Sequence, residues 1–118
     1  MVNFTVLFYE TKNGRKPAEE FLLELDPKMR AKMVRIIQLL AVNGNDLREP
    51  YSKELEDKIF ELRAKVGSNI SRVLYFFVVG KQIILTHGFI KKTQKTPKRE
   101  IERAKAYRED YKERNDTK

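Results

Sequence analysis

The sequence predicts an α+β domain of order β-α-α-β-β-β-α, with a helical hairpin and a C-terminal helix packed on a mostly antiparallel sheet. Three features of the chain point there. The first residues alternate with the period of a strand, two proline-started helical stripes follow almost without a linker, and the second half holds short apolar runs separated by glycine turns. At 118 residues the chain has room for one core and not for two.

Val2, Phe4, Val6 and Phe8 alternate with Asn3, Thr5, Leu7 and Tyr9, as in a strand with one face on a core. Asn13-Gly14 ends that strand as a turn. Pro17 suits the first position of a helix, and Ala18, Phe21, Leu22 and Leu25 follow at helical spacing. Asp26-Pro27 repeats the signal as N-cap and first-turn proline. The second helix carries the stripe Met29, Met33, Ile36, Ile37 and Leu40, and Asn43-Gly44 stops it. Residues 45–56 are polar and include Pro50, so they read as a loop with one helical turn. Three strands are expected at 58–64, 71–79 and 82–89, joined by Gly67-Ser68-Asn69 and by a two-residue Gly80-Lys81 hairpin. The middle one is apolar on both faces, the mark of a central strand. Thr96-Pro97 starts a closing helix whose inner stripe is Ile101, Ala104, Tyr107, Arg108 and Tyr111, which makes both tyrosines structural. The expected domain spans residues 1–114, with 115–118 as a flexible tail.

Lys and Arg number 25 against 17 Asp and Glu, a net charge of +8. Such an excess on a small body attracts polyanions: nucleic acid, the ribosome or an acidic protein. The absence of cysteine excludes thiol chemistry, disulfides and Cys-based zinc sites, and a single histidine, His87, excludes a multi-His site. No metal and no cofactor are therefore expected. The first residues lack the basic lead of a signal peptide, and the longest apolar run, 73–79, is far too short to span a membrane. A cytoplasmic protein is expected.

Lys91, Lys92, Lys95, Lys98 and Arg99 follow one another with no acidic residue between them, where the last strand passes into the final helix. A helix N-terminus adds partial positive charge and free N–H donors, so phosphate is favoured there. The plainer reading is a solvated charged loop. Arg63 and Arg72 form a second candidate. Glu61 and Arg63 share one strand face, and Arg72 opens the most apolar strand, where a guanidinium must be paired or face an open cleft. An ion pair with Glu61 and a phosphate site are equally compatible with Arg63; Arg72 reads better as an anion site, because its fork grips phosphate bidentately. Phe89, beside the lysines, could stack on a base, whereas His87 reads as a half-buried structural strand residue. Such residues suit metal-free cleavage of RNA, in which the 2′-OH attacks the adjacent phosphate. That reaction needs a base, an acid and cationic groups around the phosphate.

Ile59-Phe60-Glu61-Leu62-Arg63, Ser71-Arg72-Val73-Leu74-Tyr75-Phe76 and His87-Gly88-Phe89-Ile90-Lys91-Lys92-Thr93-Gln94-Lys95-Thr96-Pro97 together resemble the HigB branch of the RelE/ParE toxin superfamily. Within that branch the chain is similar to the phage-derived HigB-like toxins, and Glu100-Ile101 and Ala104 continue the pattern. The resemblance implies a RelE-like fold and the toxin of a type II toxin–antitoxin pair, an mRNA endonuclease working in the ribosomal A site. It places Arg72 at the arginine of the family's Arg-x-x-Tyr strand, which contacts the scissile phosphate. Lys91 and Lys92 fall on the basic pair after the last strand, and Arg63 on a basic strand position. Lys53, Phe89, Lys95, Lys98 and Arg99 are then the RNA- and ribosome-binding candidates. The implied partners are mRNA, the 70S ribosome and a small antitoxin with a Cro-like helix-turn-helix domain. Ile59 and Glu61 stand where well-characterised RelE toxins place lysines, so the general base stays open among Lys53, Lys58, Lys91 and the ribosome. The C-terminal catalytic tyrosine of those toxins has no counterpart. A ParE-like gyrase poison and a non-catalytic RNA-binding module are the competing functions, because fold alone cannot separate them.

Overall fold

In the computed structural model, which describes residues 3–91 and 95–115, β1 (Thr5–Phe8) leads through a turn at Gly14 to α1 (Pro17–Glu24) and α2 (Pro27–Asn43). A 3-10 turn (Gly44–Asp46) precedes β2 (Ser52–Glu56), β3 (Ile59–Val66), β4 (Asn69–Val78) and β5 (Gln82–Lys91), and α3 (Lys98–Asn115) closes the chain. The strands form one sheet in the order β1-β5-β4-β3-β2, antiparallel throughout β2 to β5, with β1 added in parallel to β5. The protein is thus an α+β fold with a mostly antiparallel sheet, compatible with the RelE-like architecture.

The helical hairpin is fixed by its corner. The Asp26 carboxylate accepts from the Met29 amide at 3.0 Å, a cap of about 1 kcal/mol. Arg30, one turn into α2, donates to the carbonyls of Leu22, Leu23 and Leu25 at 2.8–2.9 Å and so satisfies the open end of α1. The hairpin buries Ala18, Leu22, Met29, Met33, Ile36 and Leu40 against Leu62, Val73, Tyr75, Ile83 and Leu85 of the sheet. On the opposite sheet face α3 lays Ala104, Tyr107 and Tyr111 over Tyr9, Ile59, Leu74, Phe76 and Ile84. Tyr107 stacks on Tyr9 at 4.5 Å and Tyr111 meets Phe76 edge-on at 5.8 Å, which agrees with their structural reading. Arg108 departs from its expected place in the inner stripe. It reaches the β2–β3 turn instead and pairs with the Asp57 carboxylate at 2.8 Å.

Two departures from the expected order have local causes. The first is β2, which lies inside the segment expected to be a loop. Lys53 and Glu54 are exposed and only Ser52 is buried, so no apolar alternation marks this edge strand. It is held by backbone pairing to β3 and by a 2.5 Å bond from the Ser52 hydroxyl to that of Tyr75. Its hairpin turns on Asp57 and Lys58 with φ of 51° and 63°, the left-handed pair that glycine or asparagine usually supplies. The second is a bulge in β5. Leu74 pairs with His87 and Tyr75 with Leu85, which leaves Thr86 as an extra residue. A bulge reverses the alternation after it. Ile83 and Leu85 therefore face the helical hairpin, whereas His87 and Phe89 face α3. Gly88 then faces α1 so closely that a Cβ would lie 2.2 Å from the Phe21 ring. Among the described residues no helix is long and apolar enough to cross a membrane.

Candidate functional site

Ile59, Glu61 and Arg63 alternate on β3, and the register sets Arg63 directly opposite Arg72 of β4. Like charges facing across a ladder repel, and a carboxylate relieves them. Glu61 is that carboxylate. Its Oε1 lies 2.6 Å from Arg63 Nε and its Oε2 lies 3.6 Å from Arg72 Nη1. The Thr96 hydroxyl, just before α3, donates to Glu61 and accepts from Arg72 at 3.2 Å. Glu61 and Arg72 are fully buried, while the Arg63 side chain is 19% exposed. Burial lowers the Arg72 pKa, the Glu61 charge opposes that, and Arg63 adds to it. Both guanidiniums are thus bound to the same carboxylate, and the cluster lies under a surface depression.

That depression is a cleft of about 210 Å3 between β2, β3 and the start of α3, with Lys53, Arg63, Lys95 and Thr96 in its wall beside two carboxylates, Glu54 and Glu56, the latter paired with Lys98 and Lys105. Of the sequence candidates, Arg63, Lys53 and Lys95 therefore come together here. Lys91 ends β5 opposite Ile70 and is half-buried. Lys92 lies outside the described residues. Phe89 is partly buried, opposite Arg72 and against the α3 cluster.

Two expectations are corrected. Arg72 does not open into a cleft; it is sealed beneath the surface, paired with Glu61 and hydrogen-bonded to Thr96, whereas Arg63 pairs with Glu61 and still reaches the cleft wall. Nor is the basic run free of carboxylates. Lys98 lies 3.4 Å from Glu56 and 3.6 Å from Glu102, and Arg99 lies 3.9 Å from Glu100. These are exposed pairs of little energetic weight, but they weaken the positive field at the α3 N-terminus. Glu56 comes from β2, far away in sequence, which is why the run itself looks unbalanced.

His87 is fully buried, deeper than the half-buried strand position that its structural reading expects. Its Nε2 lies 3.0 Å from Glu100 and its Nδ1 lies 3.1 Å from the Thr86 hydroxyl, with Tyr107 edge-on. Burial first, and Arg103 second, push its pKa down to about 4, against the pull of Glu100. The neutral ring then donates from Nε2 to Glu100, while the Thr86 hydroxyl beside Nδ1 donates to the Leu74 carbonyl. Between its ordinary 6.5 and about 4, the unfolded chain binds a proton that the folded chain does not. Stability should be complete above that window and fall through it as pH drops, by up to about 1.4 kcal/mol per pH unit. Urea midpoints followed across the window check this, and His87→Gln should flatten the profile.

Glu61 and Thr96 are the site members that the sequence does not assign as such. Thr96 appears only as part of a helix start, and Glu61 only as a possible partner for the arginines. Among the described residues no group of three or more His, Asp or Glu is placed to hold a metal ion. No curated protein matches the chain. The family model described as Phage derived protein Gp49-like (DUF891) matches residues 20–109, from α1 into α3, and so takes in every residue of the cleft. Three-quarters of the sequence lies within that match, and the chain belongs to this phage-derived Gp49-like family, a RelE/HigB-like toxin family of toxin–antitoxin systems.

Proposed function

We propose that the protein is an mRNA endonuclease of the HigB branch, the toxin of a type II pair, acting on message held in the ribosome. The observation that carries this reading is the cleft in which Lys53, Arg63 and Lys95 converge above the Glu61–Arg72–Thr96 cluster. A phosphodiester set there meets a guanidinium already oriented by Glu61, so little ordering is needed when the phosphate gains charge. The 2′ oxygen attacks phosphorus, the bond to the 5′ oxygen breaks, and the products are a 2′,3′-cyclic phosphate and a 5′-OH. Arg63 holds the non-bridging oxygens. Lys53 takes the 2′ proton, and Lys95 gives one to the leaving oxygen.

Arg72 acts through Glu61 as a positioning residue. Lys91 and Lys92 hold phosphates flanking the cut, and Phe89, Lys98 and Arg99 contribute to ribosome docking. The family implies an antitoxin partner, and we assign it a helix-turn-helix domain. Work on the ribosome places the toxin in the cytoplasm.

The test adds purified chain to a cell-free translation reaction, with a second reaction holding the same mRNA without ribosomes, and maps RNA 5′ ends by primer extension. New ends only with translating ribosomes support the full reading. Ends in both reactions leave a free ribonuclease. Intact message from a chain that arrests growth, with DNA breaks in the arrested cells, replaces this reading with gyrase poisoning.

A further inference from the structure

A groove of about 620 Å3 runs between α2 and the β3–β4 turn, away from the α3 N-terminus. Its wall contains Lys28, Lys32, Arg35 and Lys65, all exposed, and no carboxylate. Lys28, Lys32 and Arg35 stand at i, i+4 and i+7, so three like charges share one face of α2 and repel one another in the free protein. Lys32 also ties the helix to the sheet by donating to the Lys65 carbonyl at 2.5 Å. The groove does not stop there. Lys32, Lys65 and Tyr51 line a second depression of about 290 Å3 as well, and that depression shares Lys53 and Arg63 with the cleft. Glu49 is the one carboxylate residue in the wall of the connecting depression. Tyr51 is 42% exposed where the two depressions meet, an aromatic ring set between cations.

We infer that this continuous cationic groove, from Arg35 and Lys32 past Lys65 and Tyr51 to Arg63, is the path of single-stranded RNA leading to the cleft. A polyanion relieves the repulsion along α2, and a base can stack on the Tyr51 ring, the combination that single-strand binders use. The opposite direction, over α3, is disfavoured because Glu100 and Glu102 answer cations there and Glu56, in the cleft wall on that side, already answers Lys98. The inference rests on the RNA reading of the cleft and extends it to the substrate on one side of the cut.

The probe is a fluorescent single-stranded oligoribonucleotide, 2′-O-methylated throughout so that it has no attacking hydroxyl, followed by anisotropy across a salt series. Against wild type, the variant K32A/R35A/K65A should lose about tenfold or more in affinity at low salt. Its slope of log affinity against log salt should fall by about 2, roughly 0.7 for each cation removed. A methylated trinucleotide, too short to leave the cleft, should bind both proteins equally. The charge-preserving variant K32R/R35K/K65R should restore the slope, and unchanged thermal melting shows that each variant is folded.

Equal affinity and slope in the triple-Ala variant overturn the path, and so does a wild type that fails to bind the oligonucleotide. Displacement of the bound oligonucleotide by polyglutamate at similar concentrations assigns the groove to an acidic protein segment and overturns it too. A wild type that binds in this groove-dependent way but never cuts unmodified message keeps the groove and sinks the nuclease reading alone.

Discussion

Glu61→Ala should cost about 3–5 kcal/mol of folding stability, the penalty for leaving a buried charge without its counter-ion. Glu61 lies between Arg63 and a fully buried Arg72, and its removal takes a shared counter-ion from both. Water cannot relieve Arg72, and the Thr96 hydroxyl offers a dipole where a full negative charge stood. Urea denaturation should show the loss as a lower midpoint with an unchanged slope. The double variant Glu61→Leu with Arg72→Met is the telling control, because taking away both buried charges removes their desolvation costs together. It should recover most of the lost stability and still lack activity. A near-neutral Glu61→Ala would mean that the two arginines tolerate each other and that Glu61 does not hold the cluster.

Arg63→Ala should reduce cleavage about 100- to 1000-fold with only a small change in melting. The residue is partly exposed, and its loss leaves Glu61 balanced by Arg72 and Thr96, so the fold keeps its charge pairing. Arg63→Lys should fall between the two, since it preserves the charge but loses the planar fork that holds two phosphate oxygens. Single-turnover cleavage of a ribosome-bound message measures the effect. A folded Arg63→Ala that cuts at the wild-type rate would remove this residue from the chemistry and leave the cleft a binding surface.

The helices and the three inner strands were legible in the sequence because their signals are local. Pro17, Asp26-Pro27 and Asn43-Gly44 mark helix ends, and the run 71–79 can only be a central strand. What stayed hidden depends on pairing across the fold. β2 is an edge strand of charged residues, and its turn uses Asp57 and Lys58 where a glycine would have announced it. The Thr86 bulge leaves the composition of β5 untouched while changing which face His87 and Phe89 occupy. The basic run from Lys91 to Arg99 drew attention as consecutive cations, yet Glu56 reaches part of it from another strand. The more continuous cationic surface is spread over α2, β2 and β3, where no short window of sequence displays it.

The parallel pairing of β1 with β5 has a consequence for how the protein is made. β1 leaves the ribosome first, but its partner is the last strand of the sheet, and Tyr9 at its end waits longer still for Asp110 of α3, 2.6 Å away in the finished fold. The β2–β5 meander can zip together from neighbouring hairpins, whereas β1 must close a loop that encloses nearly all of them, an entropic cost that only a complete chain recovers. Thr96 and Lys95, which finish the cleft, also emerge late. The cleft of a nascent copy therefore stays incomplete until the start of α3 has emerged and packed against β2 and β3.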